Sequence, residues 1–489
     1  TLNKAKQHWP LWIVLTVQLG LTLHWLLRYS PSHDETLYLL AGRQEWAQWL
    51  SGAPMPSRYP GFFSGEVFMW PPVDAIGYAV GGLAGARVIA MLLMLAVTAL
   101  TYLTAMRMGG RRTAAFAAAL AGLTGVADFV GATATFEPLA LFFLMLAVYL
   151  VIRANGRWRW LAGAGGVLAL ANGAKYGTIA WDPLVAGIAM LYRWPSEGWK
   201  PAIRRGATVI VGLVAGDALL LLANPGSWHG MIRSTLARPA TPPSHTYLFG
   251  PSGAVLTQAA ELTGGMLVLA LLGLILCRIR RESWASTATL ALMTAGLLLT
   301  PIDQARLHQF VSLDRNSSFG VPLGAIAASF GICYSLDVLA SRYNANPRFL
   351  QAVWTLPVIG MLIIGTMYPW QAGTHRGLLR VASFVAGHYR PGSYVGAVPG
   401  GQARQIQLSA NVPLVSPRVH AFSRLFTSHE IVMVIVDHHS QLSGSASAAQ
   451  LLALVRSTPG WSLLRQFGHG PRTVQVWSYR PPPHRKQTR

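Results

Sequence analysis

WPLWIVLTVQLGLTLHWLLRYSPSHDETLYLLAGRQEWAQWL (9–50) decides the architecture. Its first part, Trp9 to Leu27, is apolar and long enough to cross a hydrocarbon core. Lys4 and Lys6 precede it, so it is expected to stay as an anchor with the N-terminus inside. His33-Asp34-Glu35 follow at the far boundary. Adjacent carboxylates at that depth are costly unless they are solvated, paired or used. The next stretch reads as a short helix lying along the membrane surface. Leu37, Leu40, Trp46 and Trp49 give it a lipid-facing side, and Arg43 and Glu45 a wet one. An acidic pair so held can meet a substrate whose tail is in lipid and whose head is in water.

The rest of the chain extends this reading. Of 489 residues, 52% are hydrophobic and 11% charged, with mean hydropathy +0.38. A soluble protein would carry about twice that charged fraction. The class is polytopic α-helical membrane protein. The net charge of +22 does not point to nucleic acid, because the basic residues sit mostly in short loops between apolar runs. Cys277 and Cys333 lie in or near apolar segments, so no disulfide framework or cysteine metal motif follows.

About eleven spans can be drawn on the ~20-residue criterion. They fall near 10–27, 86–106, 113–131, 138–152, 159–175, 178–193, 207–223, 264–277, 284–301, 319–338 and 351–368. Arg107, Arg111 and Arg112, then Arg153, Arg157 and Arg159, then Arg193, Lys200, Arg204 and Arg205 occupy alternate loops. Arg278, Arg280 and Arg281, and Arg342 and Arg348, continue the pattern. With the N-terminus inside, all fall on the cytoplasmic face. The outer loops 28–85 and 224–263 and the C-terminal part then lie outside. The outer face also collects Asp34, Glu35, Arg58, Glu66, Asp74, Asp128, Glu137, Lys175, Trp228, His229, Arg233, Arg306, His308, Asp314 and Arg315. The working face is therefore expected to be extracytoplasmic.

Residues 1–369 form the expected membrane domain, with 224–263 as a flexible outer loop. From about 370 the composition changes. SYVGAVPG (393–400) and EIVMVIVDHH (430–439) read as buried strands. SASAAQLLALVRS (445–457) reads as an amphipathic helix, and WSLLRQF and TVQVWSYR as a closing pair of strands. A small extracytoplasmic α/β domain over 370–480 and a disordered tail over 481–489 are expected. Asp437-His438-His439 looks like a metal site, but no third ligand is placed by spacing, and a polar strand end is the better reading.

Short motifs in fixed order then carry a resemblance. After the acidic pair and the surface helix comes FMWPPVDAIGYAVGGLAGARV (68–88). ATFEPLALFFLMLAVYL (134–150), NGAKYGTIAW (172–181) and RLHQFVSLDRNSSFGVPLGAIAA (306–328) follow. Over roughly residues 10–370 the chain resembles the GT-C integral-membrane glycosyltransferases. It is most similar to the branch with the protein O-mannosyltransferases and the aminoarabinose transferases of lipid A. The resemblance implies an inverting enzyme. Such an enzyme moves a sugar from a polyprenyl-phosphate carrier to an outer acceptor glycan, lipid or protein. It implies that Asp34 is the general base, with Glu35 shaping the site or sharing a divalent cation. It implies that Lys175 meets the carrier phosphate, and that Glu137 is the acidic residue at the outer start of the fourth span. Arg306 and Arg315 are further phosphate candidates, and His229 and His308 candidate substrate contacts. The chain departs from the family at Met69-Trp70, before Pro71-Pro72, where relatives place acidic and basic residues or a histidine. A metal bridging the juxtamembrane helices is therefore in doubt, and Trp70 becomes a candidate platform for a sugar ring. The expected location is the plasma (inner) membrane of a bacterium. Two other functions stay open: a transporter or flippase for a lipid-linked sugar, and a non-catalytic scaffold of envelope-glycan assembly.

Overall fold

The computed structural model describes residues 8–29, 32–54, 63–232, 250–310, 312–343, 360, 376–397, 406–407, 410, 412–415, 421–437, 445–467 and 473–480. Lys4, Lys6, Arg58, Arg233, Arg238, the span expected near 351–368 (apart from Gly360), His438, His439 and the 481–489 tail lie outside them. The chain divides into two compact units. One comprises Thr1–Arg28 and Ala41–Trp370, the other Tyr29–Leu40 and Gln371–Arg489.

The first unit is helical. Seven of its described helices are long and apolar enough to cross a membrane: Trp9–Leu26, Trp70–Gly122, Phe136–Arg153, Trp199–Ala223, Ser252–Ile279, Trp284–Arg306 and Val321–Arg342, the last continuing to Tyr343. Trp158–Ala174 and the 3₁₀ turn Tyr176–Trp181 with Asp182–Leu191 are shorter. The Trp70–Gly122 run joins helices across kinks at Gly81–Gly82 and Gly110, so the expected spans 86–106 and 113–131 stay distinct; those near 159–175 and 178–193 are the shorter pieces, and that near 351–368 lies outside the described residues apart from Gly360. Pro71-Pro72 start the Trp70–Gly122 run, and Gly82 (φ +59°) and Gly110 (φ +79°) break its path. Left-handed backbone is cheap at glycine, so each break turns the chain without a cap. The helix expected to begin near 264 begins at Ser252. Its first turns carry Gln258 and Glu261, which hydropathy alone assigns to a loop.

Close helix packing follows from small residues. A Cβ on Gly165 would lie 2.2 Å from the Val209 carbonyl oxygen, and one on Gly212 2.3 Å from that of Ala162. The 158–174 and 199–223 helices therefore touch backbone to backbone. That is the packing mode available where apolar burial gives no preference over lipid.

The loops sort by charge. Arg107 and Arg153 flank the Tyr149 ring at 5.7 and 5.9 Å. Arg193 donates to Asn155 at 3.2 Å, Trp194 meets Trp284 at 5.0 Å, and Arg280 and Arg112 both reach Asp337. Buried Arg205 donates to the Ala189 carbonyl at 3.0 Å and pairs with Glu197. The arginine loops separated in sequence thus meet at one end of the unit.

The 33–51 helix is not simply laid on a membrane surface. Trp46 donates to the Pro72 carbonyl at 3.0 Å, and Gly42 abuts the Pro71 backbone. Leu37 is buried, Trp49 and Arg43 are exposed, and Glu45, expected on the wet side, is buried. Burial raises the Glu45 carboxyl above its ordinary pKa.

In the second unit five strands form one sheet in the order β2-β1-β3-β5-β4. They are β1 Tyr394–Ala397, β2 Leu414–Val415, β3 Ile431–Asp437, β4 Trp461–Phe467 and β5 Val474–Tyr479. β1 runs parallel to β2 and β3, and β5 is antiparallel to β3 and β4. Alternation along β3 feeds two cores. Met433 and Ile435 pack with Val381, Val385 and Val476 under the Arg376–His388 helix. Val434 and Val436 pack with Phe422, Phe426, Leu451 and Val455 of the helices on the opposite face.

Candidate active site

Lys175 follows the last residue of the 158–174 helix with extended backbone (φ −153°, ψ 112°). Extension sends successive side chains to opposite sides. Lys175 forms an ion pair with Glu137 and donates to Asn316 Oδ1 at 2.8 Å. Its Nζ also lies 5.6 Å from the Phe319 ring centre. The pair is well enclosed, with side-chain exposures of 12% for Lys175 and 3% for Glu137. Glu137 stands in the first turn of the 136–153 helix, beside Pro138, where the helix dipole favours a carboxylate.

Tyr176 turns the other way. Its hydroxyl donates to Glu66 Oε1 at 3.2 Å, and Asn224 donates to Glu66 Oε2 at 3.0 Å. The backbone fixes this register: Glu66 N–H reaches the Gly173 carbonyl at 2.7 Å and Tyr176 N–H that of Ser64 at 2.8 Å. Gly65 permits the approach, since a Cβ there would lie 2.2 Å from the Ala174 oxygen. Behind this, Asn172 donates to Asp182 at 3.0 Å and to Asp217 at 3.5 Å, and accepts from the Thr178 hydroxyl at 2.7 Å.

Asp314 and Arg315 sit in the short Leu313–Ser317 helix that presents Asn316. Thr300 holds that turn by donating to the Asn316 carbonyl at 2.9 Å. Arg315 donates to Ser312 at 2.8 Å, and its charge acts on Glu137. Burial pushes the Asp314 carboxyl up, opposed by the Arg315 charge.

Asp34 occupies the first turn of the 33–51 helix, half-buried. Its neighbour Glu35 is buried and accepts from the Ser32 N–H at 2.7 Å, while Ser32 Oγ accepts from the Glu35 N–H at 3.2 Å. That is a reciprocal capping box, and it fixes the turn carrying Asp34.

The other expected site residues are placed differently. Trp70 heads its helix fully buried, so no ring face is open to a sugar, and the expected stacking role does not suit this arrangement. Arg306 is exposed and paired with Asp303 at 2.8 Å. His308 has left-handed backbone (φ +55°) and places Nδ1 3.3 Å from Ser252 Oγ, tying the 250–252 segment. His229 is exposed on the short Ser227–Met231 helix. Among the described residues, no three His, Cys, Asp or Glu side chains come together as metal ligands. A Glu35 oxygen is turned back to its own helix start. Asn316 carries no mark in the sequence that singles it out as a site residue, whereas Asp182 and Asp217 were missed although each is an ionisable residue beside or within an apolar run. Asn172 and Tyr176 flank Lys175 within NGAKYGTIAW, and that proximity is the signal by which they could be found.

No family model and no curated protein matches the chain. Solved structures do. ArnT from Cupriavidus metallidurans bound to undecaprenyl phosphate aligns with a TM-score of 0.63 at 15% identity, over 95% of this chain and 97% of ArnT. ArnT in the apo state aligns at 0.60 with the same identity and coverage. The oligosaccharyltransferase AglB from Archaeoglobus fulgidus, in complex with an inhibitory peptide and a dolichol-phosphate, aligns at 0.56 and 11% identity, over 96% of this chain and 74% of AglB. The chain shares the fold of these structures. Within this fold, the Lys175–Glu137–Asn316 cluster is built from the starts or ends of helices that are distant in sequence.

Proposed function

We propose that the chain is an inverting glycosyltransferase of the extracytoplasmic membrane face, using a polyprenyl-phosphate-linked sugar. The observation that carries this reading is the enclosed lysine of the Lys175–Glu137–Asn316 cluster within a fold shared with ArnT and AglB. An ammonium has three N–H donors. Two point to Glu137 and Asn316, and the third is assigned to an oxygen of the donor phosphate. Glu137 and Asn316 then act as positioning residues that hold the cation in place.

In the proposed reaction an acceptor hydroxyl attacks the anomeric carbon of the donor. The new oxygen–carbon bond forms as the carbon–oxygen bond to phosphate breaks, and the configuration inverts. The hydroxyl proton passes to Asp34, and the polyprenyl phosphate leaves carrying negative charge, which Lys175 stabilises. Arg315, close enough to act on Glu137, supplies a second positive charge near the cluster. Sugar and acceptor are chosen outside these groups.

Turnover of purified Asp34→Asn tests the base. A positioned general base contributes about 10²–10⁴-fold. We expect a rate loss in that range with donor binding retained. Activity above about a tenth of the wild-type rate would remove Asp34 from the base role, given that range. Mass spectrometry of lipid-linked sugars and envelope glycans in a deletion strain tests the reaction itself: a donor should accumulate while a glycan disappears.

A further inference from the structure

The arginine-bearing end of the first unit holds a cavity of about 530 Å³. It lies between the Gly110 break, the 282–290 segment and the 330–337 segment of the 321–343 helix. Asp337 stands 16 residues along that helix from Val321, about 24 Å at 1.5 Å per residue. Asn316 and Lys175 belong beyond the Val321 end. The cavity is thus separate from the candidate active site by most of a membrane thickness.

Its walls are mixed. Phe330 and Leu290 line the apolar part, Ser286 and Thr289 add hydroxyls, and Glu282 and Asp337 bring carboxylates to the lining beside the arginines. Arg111 and Arg112 line the mouth and are exposed. Arg112 lies 3.7 Å from Asp337, which is held more tightly by Arg280 at 3.0 Å. Arg111 lies over the Trp9 ring at 5.7 Å, and among the described residues no carboxylate lies within salt-bridge distance of it. Loop arginines set topology without a cavity. Here two of them front a pocket of the size that holds small ligands, with hydroxyl donors and an apolar wall behind.

We propose that this cavity binds a phosphate-bearing anion, Arg111 and Arg112 meeting the phosphate oxygens and the Phe330–Leu290 wall meeting the attached carbon skeleton. A lipid headgroup from the adjoining leaflet and a soluble phosphate ester share this chemistry, and inorganic phosphate probes the arginine contacts common to both. The experiment separates them.

Full-length protein in micelles would be titrated with phosphatidylglycerol, phosphatidylcholine and inorganic phosphate, with bound lipid counted by native mass spectrometry. The informative variant is Ser286→Glu. Ser283 caps this helix by accepting from the Ser286 N–H at 3.1 Å. Glutamate three residues after a serine cap completes a capping box, so the fold tolerates the change while a further negative charge joins Glu282 in the wall. We expect Ser286→Glu and Arg111→Ala each to weaken phosphatidylglycerol retention by about fivefold, the factor equivalent to ~1 kcal/mol per charge. Arg204→Ala, an exposed arginine outside the lining, should leave retention unchanged. Displacement of the lipid by millimolar phosphate would assign the site to the soluble anion. Retention despite phosphate would assign it to the headgroup. Equal retention of both lipids, insensitive to Ser286→Glu and Arg111→Ala, would overturn the proposal.

Discussion

At the scale of single residues, the enclosed Lys175–Glu137 pair sets the clearest expectation. Removing one partner leaves the other charge buried without compensation, which costs about 3–5 kcal/mol. Lys175→Ala should therefore lower thermal stability sharply, and Glu137→Gln/Lys175→Met should recover most of it. Donor binding should stay lost in both, because neither restores the ammonium. Donor titration beside thermal unfolding checks this; a double variant that regained donor binding would move the phosphate role to Arg315. Asp314 gives a pH-dependent companion. Its carboxyl is raised by burial, so the native state resists its ionisation. The resulting destabilisation is absent below the ordinary carboxylate pKa, sets in as pH rises past it, and is complete above the raised native value. Asp314→Asn should thus be more stable than wild type at pH 7, with the gap closing toward pH 4, read by unfolding at both pH values. Lys175 and Glu137 were legible in the sequence because an isolated charge beside an apolar run needs a reason. Asn316 was not, since an amide after an Asp-Arg pair has neither period nor charge to mark it. Glu45 misled because its helix packs through Gly42 and Trp46 on the Pro71–Pro72 backbone, contacts that amphipathic spacing cannot reveal.

At the scale of elements, apolar length located the long helices, and glycine decided how they join. Hydropathy separated 86–106 from 113–131, as the Gly110 kink does, but missed the helix from Trp70 to the Gly81–Gly82 kink, since that turn is conformational and not compositional. Nor does it show which glycines lie at helix contacts. Gly165 is one, against the Val209 backbone, while a Cβ added to Gly163 in the same helix would meet nothing within 4 Å. Gly165→Leu should force the 158–174 and 199–223 helices apart at a cost of about 1–3 kcal/mol or more. Gly163→Leu should be tolerated. Yield of monodisperse protein and thermal unfolding separate the two, and equal behaviour would count against the backbone contact. The 158–174 helix ends at Lys175, so Gly165→Leu should also depress donor binding.

At the scale of the whole molecule, the strands expected in SYVGAVPG, EIVMVIVDHH, WSLLRQF and TVQVWSYR overlap β1, β3, β4 and β5. The sheet order was not legible, because strand pairing depends on contacts far apart in sequence. With two cores, one on each face of the sheet, residues 376–480 are expected to carry their own stability. The excised fragment should unfold cooperatively and show strand and helix by circular dichroism; a featureless, non-cooperative trace would show that it depends on the remainder. The position of β5 has a consequence for biogenesis. β3 lies between β1, synthesised before it, and β5, the last strand to be made. Until β5 emerges, Met433 to Asp437 present an open row of peptide groups to any neighbouring nascent chain. A premature stop after β4 would leave β4 without its pairing partner too, and the product would be a substrate for quality-control proteolysis even with every membrane helix inserted.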